Sequence, residues 1–297
     1  MAITPNPQPK LGAVFPHFTF GPDPEEIRHF ATTLESIGFT HLLAYDHVLG
    51  GSREGRPELE GRYTSDHHFH EVMVLFGYLA AITTRLELVS GVIILPQRQT
   101  ALVAKQAAEV DILSRGRLRL GVGIGWNPIE YQALGENFRN RGKRLEEQIA
   151  LLRQLWTQRV VTFEGKWHTV DRAGTQPLPV QQPIPIWIGG SSEIAVRRAA
   201  RIGDGFFPNQ KTLEEDESNL RILRDEAERA GRDPASIGIE ARISLVNNDP
   251  DDWKRRYEFW CEQGASHITL ATIVQPSSPP DDHIERLERA YRLLRSM

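Results

Sequence analysis

"RLRLGVGIGWNPIEY", Arg117 to Tyr131, runs a strand-like segment into three glycines, Gly121, Gly123 and Gly125. Its reading decides between a dinucleotide fold and something else. A dinucleotide turn needs G-x-G-x-x-G, because each glycine has its own task in bringing backbone, helix and pyrophosphate together. Counted from Gly121 the third position is Trp126, and counted from Gly123 it is Pro128. Neither residue lets a helix pack tightly against a strand, and Pro128 stands where the crossover helix would already be running. The stretch therefore reads as a buried strand, Leu118 to Gly123, that ends in exposed amides and an indole suited to a planar or anionic ligand.

Around it the chain alternates. Leu11 to Phe15 is a short apolar run, followed by a helix from Pro24 to Ile37 with Asp23 as cap, Pro24 at the first position and Gly38 past the end. Strand and helix signals then repeat: His41 to Tyr45 and Glu71 to Thr83, Leu86 to Leu95 and Ala101 to Leu113. After Leu118 to Gly123 come a short helix over Pro128 to Leu134 and a long one over Arg141 to Trp156. In the long helix Leu145, Ile149, Leu152 and Trp156 share one face. "VVTFEGKWHTV" reads as a hairpin turning at Glu164-Gly165 and leads into a Pro-rich connection. The pattern resumes with strands at Ile186 to Ile188, Gly205 to Phe207, Ile237 to Val246 and His267 to Ile273. Their helices run from Glu193 to Ile202, Leu213 to Ala230, Asp251 to Gln263 and Asp281 to Ser296. Eight strand-then-helix units imply a parallel sheet with helices outside, in the number that closes a (β/α)8 TIM barrel. The α/β reading is one domain over residues 1–297, with an open doubly wound sheet and a second small domain after Pro177 as the alternative.

Bulk properties narrow the classes. Of 297 residues 40% are hydrophobic and 25% charged, enough apolar material for a full core, and the formal net charge of -4 gives no basic excess for nucleic acid. The single cysteine, Cys261, excludes an internal disulfide and a cysteine-based metal site, and it reads as a buried, inert thiol. No apolar signal core opens the chain and no run approaches about 18 apolar residues, so a cytoplasmic protein is expected.

A barrel carries its chemistry at the C-terminal ends of its strands. Those ends deliver Asp46 and His47, then Ser90, Gly91 and Val92, then Gly125 and Trp126, then Gly189, Gly190, Ser191 and Ser192. "IGGSSEIAVRRAA" places two glycines and two serines before a helix whose free amides suit a phosphate; a plain cap at Ser191 or Ser192 accounts for the same residues. His47 could give or take a proton, or be a satisfied structural histidine at a strand end. "SDHHFHE" gathers His67, His68 and His70 beside Asp66 and Glu71, but no histidine pair has the i, i+4 spacing of two ligands on one helix face. Asp66 as a helix cap and Glu71 as a first-turn acid explain the run without a metal. Arg53, Arg56 and Arg62 could meet an acidic substrate, though Glu54, Glu58 and Glu60 interleave with them as on a solvated loop.

"AYDHV", "SGVIILPQRQTALVAKQAAEVDILSRGRLRLGVGIGWNPIEYQALG", "RGKRLEEQIALLRQLWT", "VTFEGKWHTV" and "PIPIWIGGSSEIAVRRAARIGDGFFP" together resemble the bacterial luciferase-like superfamily, and within it the coenzyme F420-dependent branch. The resemblance covers roughly residues 10 to 210 in order. It implies a TIM barrel with an insertion at the hairpin, often dimeric, with a flavin or deazaflavin across the strand ends. By that likeness Asp46 and His47 contact the ring, His47 is a proton donor or a substrate-side group, and Ser90, Gly91, Val92 and Ile94 back the ring, often with a cis peptide at Gly91–Val92. Gly125 and Trp126, with Gly189, Gly190, Ser191, Ser192 and Ile194, complete the cofactor contacts. The sequence departs from some sugar-phosphate dehydrogenases of this family, which place an acid where Trp126 stands, and it lacks a tryptophan that some relatives carry shortly after His47.

The expectation is therefore an oxidoreductase that transfers a hydride between coenzyme F420 and a small organic molecule, with His47, held by Asp46 or a backbone group, supplying the proton. The rivals are an FMN-dependent monooxygenase fed by a partner reductase, a metal-dependent barrel enzyme built on His67 to His70, and a cofactor carrier without turnover.

Overall fold

The computed structural model describes residues 8–18, 20–21, 23–56, 63–272 and 279–297. In chain order its elements are β1 (Lys10–Val14), α1 (Pro24–Ile37), β2 (His41–Ala44), α2 (Val72–Ile82), β3 (Glu87–Ser90), β4 (Ile93–Ile94), α3 (Thr100–Leu113), β5 (Leu118–Gly123), α4 (Pro128–Ala133) and α5 (Arg141–Thr157). They continue with β6 (Val161–Glu164), β7 (Thr169–Ala173), β8 (Ile186–Gly189), α6 (Glu193–Ile202), β9 (Gly205–Phe207), α7 (Leu213–Arg229), β10 (Gly238–Ser244), α8 (Pro250–Glu262), β11 (His267–Ala271) and α9 (Pro280–Arg295). The fold is the (β/α)8 barrel expected from the alternation, with β3 and β4 as two pieces of one barrel strand and the β6–β7 hairpin as an insertion.

The chain divides into two compact units. The first holds the described residues up to Ala44, with Arg85–Glu87 and Trp187–Met297. Its strands pair in parallel in the order β2, β1, β11, β10, β9, β8. α1 shows why the helices form. The Asp23 carboxylate accepts from the Glu25 amide at 2.9 Å, Pro24 presets the first turn, and Gly38 closes the helix with a left-handed φ of 112°. Ile27, Phe30, Ala31 and Leu34 form its buried stripe, and the helix packs on α9. A polar layer lies among these strands: His41 meets Thr269 Oγ1 at 2.8 Å and Glu240 Oε1 at 3.2 Å, all three fully or almost fully buried.

The second unit is Tyr45–Thr84 with Leu88–Ile186. Here β3 and β4 each pair with β5 in parallel, α2 packs on α3, and α3 packs on α5. The expected single strand from Leu86 to Leu95 is broken: Gly91–Val92 is a cis peptide between β3 and β4, and Leu95–Gln97 is a turn of 3-10 helix. Pro96 has no N–H to continue a ladder. The hairpin turn is also longer than Glu164-Gly165. It runs from Gly165 to His168, closed by the Gly165 amide on the His168 carbonyl at 2.9 Å, because Glu147 of α5 accepts the amides of Lys166, Trp167 and His168 at 2.8, 2.8 and 2.9 Å. Arg62, Glu58, Glu60 and the expected strand end at Ile273 lie outside the described residues.

Candidate active site

In the Asp46-His47 pair that follows β2, Asp46 is buried and His47 half-buried, and the two side chains go to different partners. Asp46, 3% exposed, accepts the Ile94 amide at 3.0 Å through Oδ2 and Arg98 Nη2 at 2.7 Å through Oδ1. Arg98 Nη1 also donates to Glu71 Oε1 at 2.9 Å. Burial alone would lower the Arg98 pKa, but Asp46 and Glu71 outweigh it and raise it above its ordinary value. Asp46 thus ties the turn after β2 to β4 and fixes a permanent cation.

His47 is held by a residue that the sequence did not single out. Its Nδ1 lies 3.0 Å from Glu130 Oε2, and Glu130 Oε1 accepts the Val48 and Leu49 amides at 2.8 and 3.2 Å. The expectation that Asp46 or a backbone group holds His47 is corrected: Asp46 is fully committed to Ile94 and Arg98. Glu130 comes from α4, where the Asn127 side chain caps the helix on the Ile129 amide at 3.0 Å, Pro128 sets the first turn, and Glu130 falls at its third position. Burial pushes the Glu130 carboxyl up, but His47 and the two amides outweigh it and hold the group below the usual carboxylate range. An ionised Glu130 accepts the Nδ1–H of His47, which leaves Nε2 as the proton-exchanging atom. No described residue bonds that nitrogen.

Aromatic rings surround His47. Tyr63 stacks on it with centroids 4.5 Å apart, and Phe69 and Trp126 present edge contacts at 5.2 and 5.8 Å. Burial, and then the charge of Glu130, raise the Tyr63 pKa, so this wall stays a neutral phenol. Gly125 has φ 62°, and a Cβ there would stand 2.7 Å from Ile94 Cγ2. Ile94 therefore packs directly on the glycine, and only backbone is presented. Ser90 is fully buried and its hydroxyl both donates to and accepts from the Gly121 backbone at 2.9 Å, so it joins β3 to β5 and has no side-chain atom to spare.

In the first unit, the segment after β8 forms the cap of α6. Ser192 Oγ accepts the Ala195 amide at 3.3 Å, and Gly190 at φ 154° has Ala195 Cβ where its own would go. Ser191 and Ser192 are exposed, and the Ser191 carbonyl takes Gln210 Nε2 at 2.6 Å and Asn219 Nδ2 at 3.4 Å. Ile194 is 68% exposed and makes no packed wall. Glu193, in the first turn, is paired with Arg197.

The other candidates do not assemble a site. Among the described residues no three His, Cys, Asp or Glu side chains stand close enough to hold a metal ion. Glu71, expected as a first-turn acid, is itself the cap of α2, accepting the Val74 amide at 2.8 Å; Asp66 is not the cap. Cys261 is half-buried on α8 beside Tyr257, and burial pushes its thiol up. Among the described residues no helix is long and apolar enough to cross a membrane.

A family model described as luciferase-like monooxygenase matches residues 4–295. The chain belongs to the luciferase-like family. Its luciferase-like relatives divide over the cofactor. The chain is 30% identical over 298 residues to an F420-dependent glucose-6-phosphate dehydrogenase of Segniliparus rotundus, covering 90% of this chain and 84% of that one. It is 34% identical over 219 residues to an FMNH(2)-dependent dimethylsulfone monooxygenase of Pseudomonas fluorescens, covering 73% and 56%. Among solved structures, an F420-dependent secondary alcohol dehydrogenase in complex with an F420-acetone adduct superimposes with a TM-score of 0.78 at 17% identity, over 97% of this chain and 99% of that one. The luciferase-like barrel is common to all of these. The relatives are oxidoreductases or monooxygenases that use F420 or FMN, so a flavin-type cofactor belongs to this chain's family.

Proposed function

We propose that the protein is a coenzyme F420-dependent oxidoreductase in which His47, oriented by Glu130, exchanges the proton that accompanies hydride transfer. The observation that carries this reading is the His47–Glu130 pair, a histidine with one nitrogen fixed by a buried carboxylate and the other without a bond from any described residue. The F420 branch is favoured because the similarity to the F420-dependent dehydrogenase spans most of both chains, whereas that to the FMNH(2)-dependent enzyme spans 56% of the relative.

The residues suit such a cofactor. Gly125, against which Ile94 packs, has no side chain to stand in the way of a flat ring. In the first unit, the free amides and positive end of α6, with Gly190 and Ser191 before it, suit a phosphate. A deazaflavin, when bound, would supply a two-electron hydride carrier. The chain's own residues do the rest. Asp46 and Arg98 hold the turn after β2 against β4, Glu130 fixes the tautomer of His47, and Nε2 gives or takes the proton. Tyr63 and Phe69 keep the imidazole in an apolar wall.

An FMN-dependent monooxygenase is the second reading, favoured by the 34% identity noted above. Oxygen uptake separates the two. With chemically reduced FMN, the protein is expected to leave oxygen consumption at the rate of free flavin. Stimulated uptake with a formed hydroperoxide-type signal would transfer the protein to the monooxygenase reading.

A further inference from the structure

We infer that the His47 subsite takes an uncharged substrate with a flat apolar group next to its reacting oxygen, and that Trp126 and Leu49 select it. This rests on the reading of His47 as the proton-exchanging group.

The argument begins with charge. Among the described residues, the charged side chains bonded to His47 and to its neighbour Asp46 are Glu130 and Arg98, Arg98 also holds Glu71, and Glu130, Asp46, Glu71 and Arg98 are each already satisfied. Both Glu130 oxygens are taken by His47 and the two amides. Both Asp46 oxygens are taken by Ile94 and Arg98. Glu71 holds Arg98 with one oxygen and the Val74 amide with the other. The cation of this group, Arg98, is thus spent on two carboxylates. An anionic substrate would find no free counter-charge in this group and would face three carboxylates against one guanidinium. A cationic substrate would find no carboxylate oxygen without a donor. Burying either charge unpaired is expensive. Arg53 and Arg56 stand exposed on the loop beyond, with Glu54 between them.

The second part is surface. Apolar side chains are usually withdrawn from water, yet three around this subsite are not: Val48 is 38% exposed, Leu49 44% and Trp126 42%. Val48 and Leu49 are fixed through their amides to the same Glu130 that orients His47, and the Trp126 ring meets the imidazole edge-on. The described neighbours of His47 are therefore neutral rings and open apolar side chains, and Nε2 is the atom of His47 itself that faces them without a bond from a described residue. Such a wall recognises a flat hydrocarbon group by stacking and burial and an oxygen by one hydrogen bond.

The test uses two fluorinated probes of similar size and opposite charge state, 4-fluoroacetophenone and 4-fluorophenylacetate, titrated with the purified protein and followed by fluorine NMR. The neutral ketone is expected to bind and the anion not. Trp126→Ala should weaken the ketone about five- to tenfold, the scale of one lost aromatic contact. Trp126→Phe should recover most of that, and Leu49→Ser should weaken it less. Both positions are exposed, so circular dichroism melts close to wild type are expected and check the fold. Equal or tighter binding of the anion, no binding of either probe, or ketone binding indifferent to both Trp126→Ala and Leu49→Ser would overturn the inference. Coenzyme F420 titrated into the same sample keeps the two ideas apart. Loss of cofactor binding with the probe preference intact would overturn the cofactor reading alone.

Discussion

His47 and Glu130 lie 83 positions apart in sequence and 3.0 Å apart in the fold, Nδ1 to Oε2. The carboxylate also holds the two amides that follow His47, so one acid sets both the imidazole and the turn that carries it. Replacing it should therefore free the ring as well as unbalance it. Nitrogen NMR of wild type is expected to show the Nδ1 of His47 carrying the proton that Glu130 accepts. Glu130→Ala should return a mixture of tautomers, and turnover should fall by about 100-fold or more, in the range of a lost general acid–base arrangement. Cofactor affinity should move far less. An unchanged tautomer in Glu130→Ala would contradict the assignment.

The pH dependence of this pair has a definite sign. Glu130 titrates below its unfolded value, so its stabilisation is present above the ordinary carboxylate range near pH 4 and is lost as pH falls through the lowered value. Asp216 behaves oppositely. Burial pushes it up to about 6, and it is 7% exposed near the N-terminus of α7. Its ionisation costs stability that is absent below about pH 4 and fully felt above about pH 6. Asp216→Asn keeps an acceptor for the Gln210 amide and removes the charge. The variant should melt higher than wild type at pH 8, by roughly 2 kcal/mol of stability, and equally at pH 4. A lower melting point at pH 8 would refute this.

The hairpin insertion depends on one side chain. Glu147 accepts three consecutive amides of the β6–β7 turn and meets His168 Nδ1 at 2.8 Å, while the other His168 nitrogen meets Thr100 Oγ1 at 2.8 Å. Glu147→Ala should cost about 2–3 kcal/mol, since hydrogen bonds to a charged acceptor are the strong kind. Limited proteolysis should then cut first between Glu164 and Thr169. Cleavage elsewhere with the hairpin intact would show that other contacts hold it.

Much of the fold was legible because its signals are local. Asp23, Pro24 and Gly38 fixed α1 at both ends, and the start of the Glu193 to Ile202 helix followed from its serine cap. The broken third strand was not legible, since Leu86 to Leu95 is a continuous apolar run and its interruption at Gly91–Val92 belongs to the fold around it. The site was half legible. Asp46 and His47 announced themselves as polar residues after a buried strand. Their partners did not, because the pairings with Arg98 and Glu130 cross 52 and 83 residues and leave no periodicity. One local signal pointed to Glu130: Asn127 and Pro128 start a helix, and an acid at its third position sits where the amide end favours negative charge.

The measurement that tests the central claim most directly is a titration of the purified protein with coenzyme F420 and, separately, with FMN, followed by tryptophan fluorescence. The account predicts micromolar or tighter binding of the deazaflavin and much weaker binding of FMN. The reverse preference would contradict it and send the search toward a reductase that supplies reduced flavin.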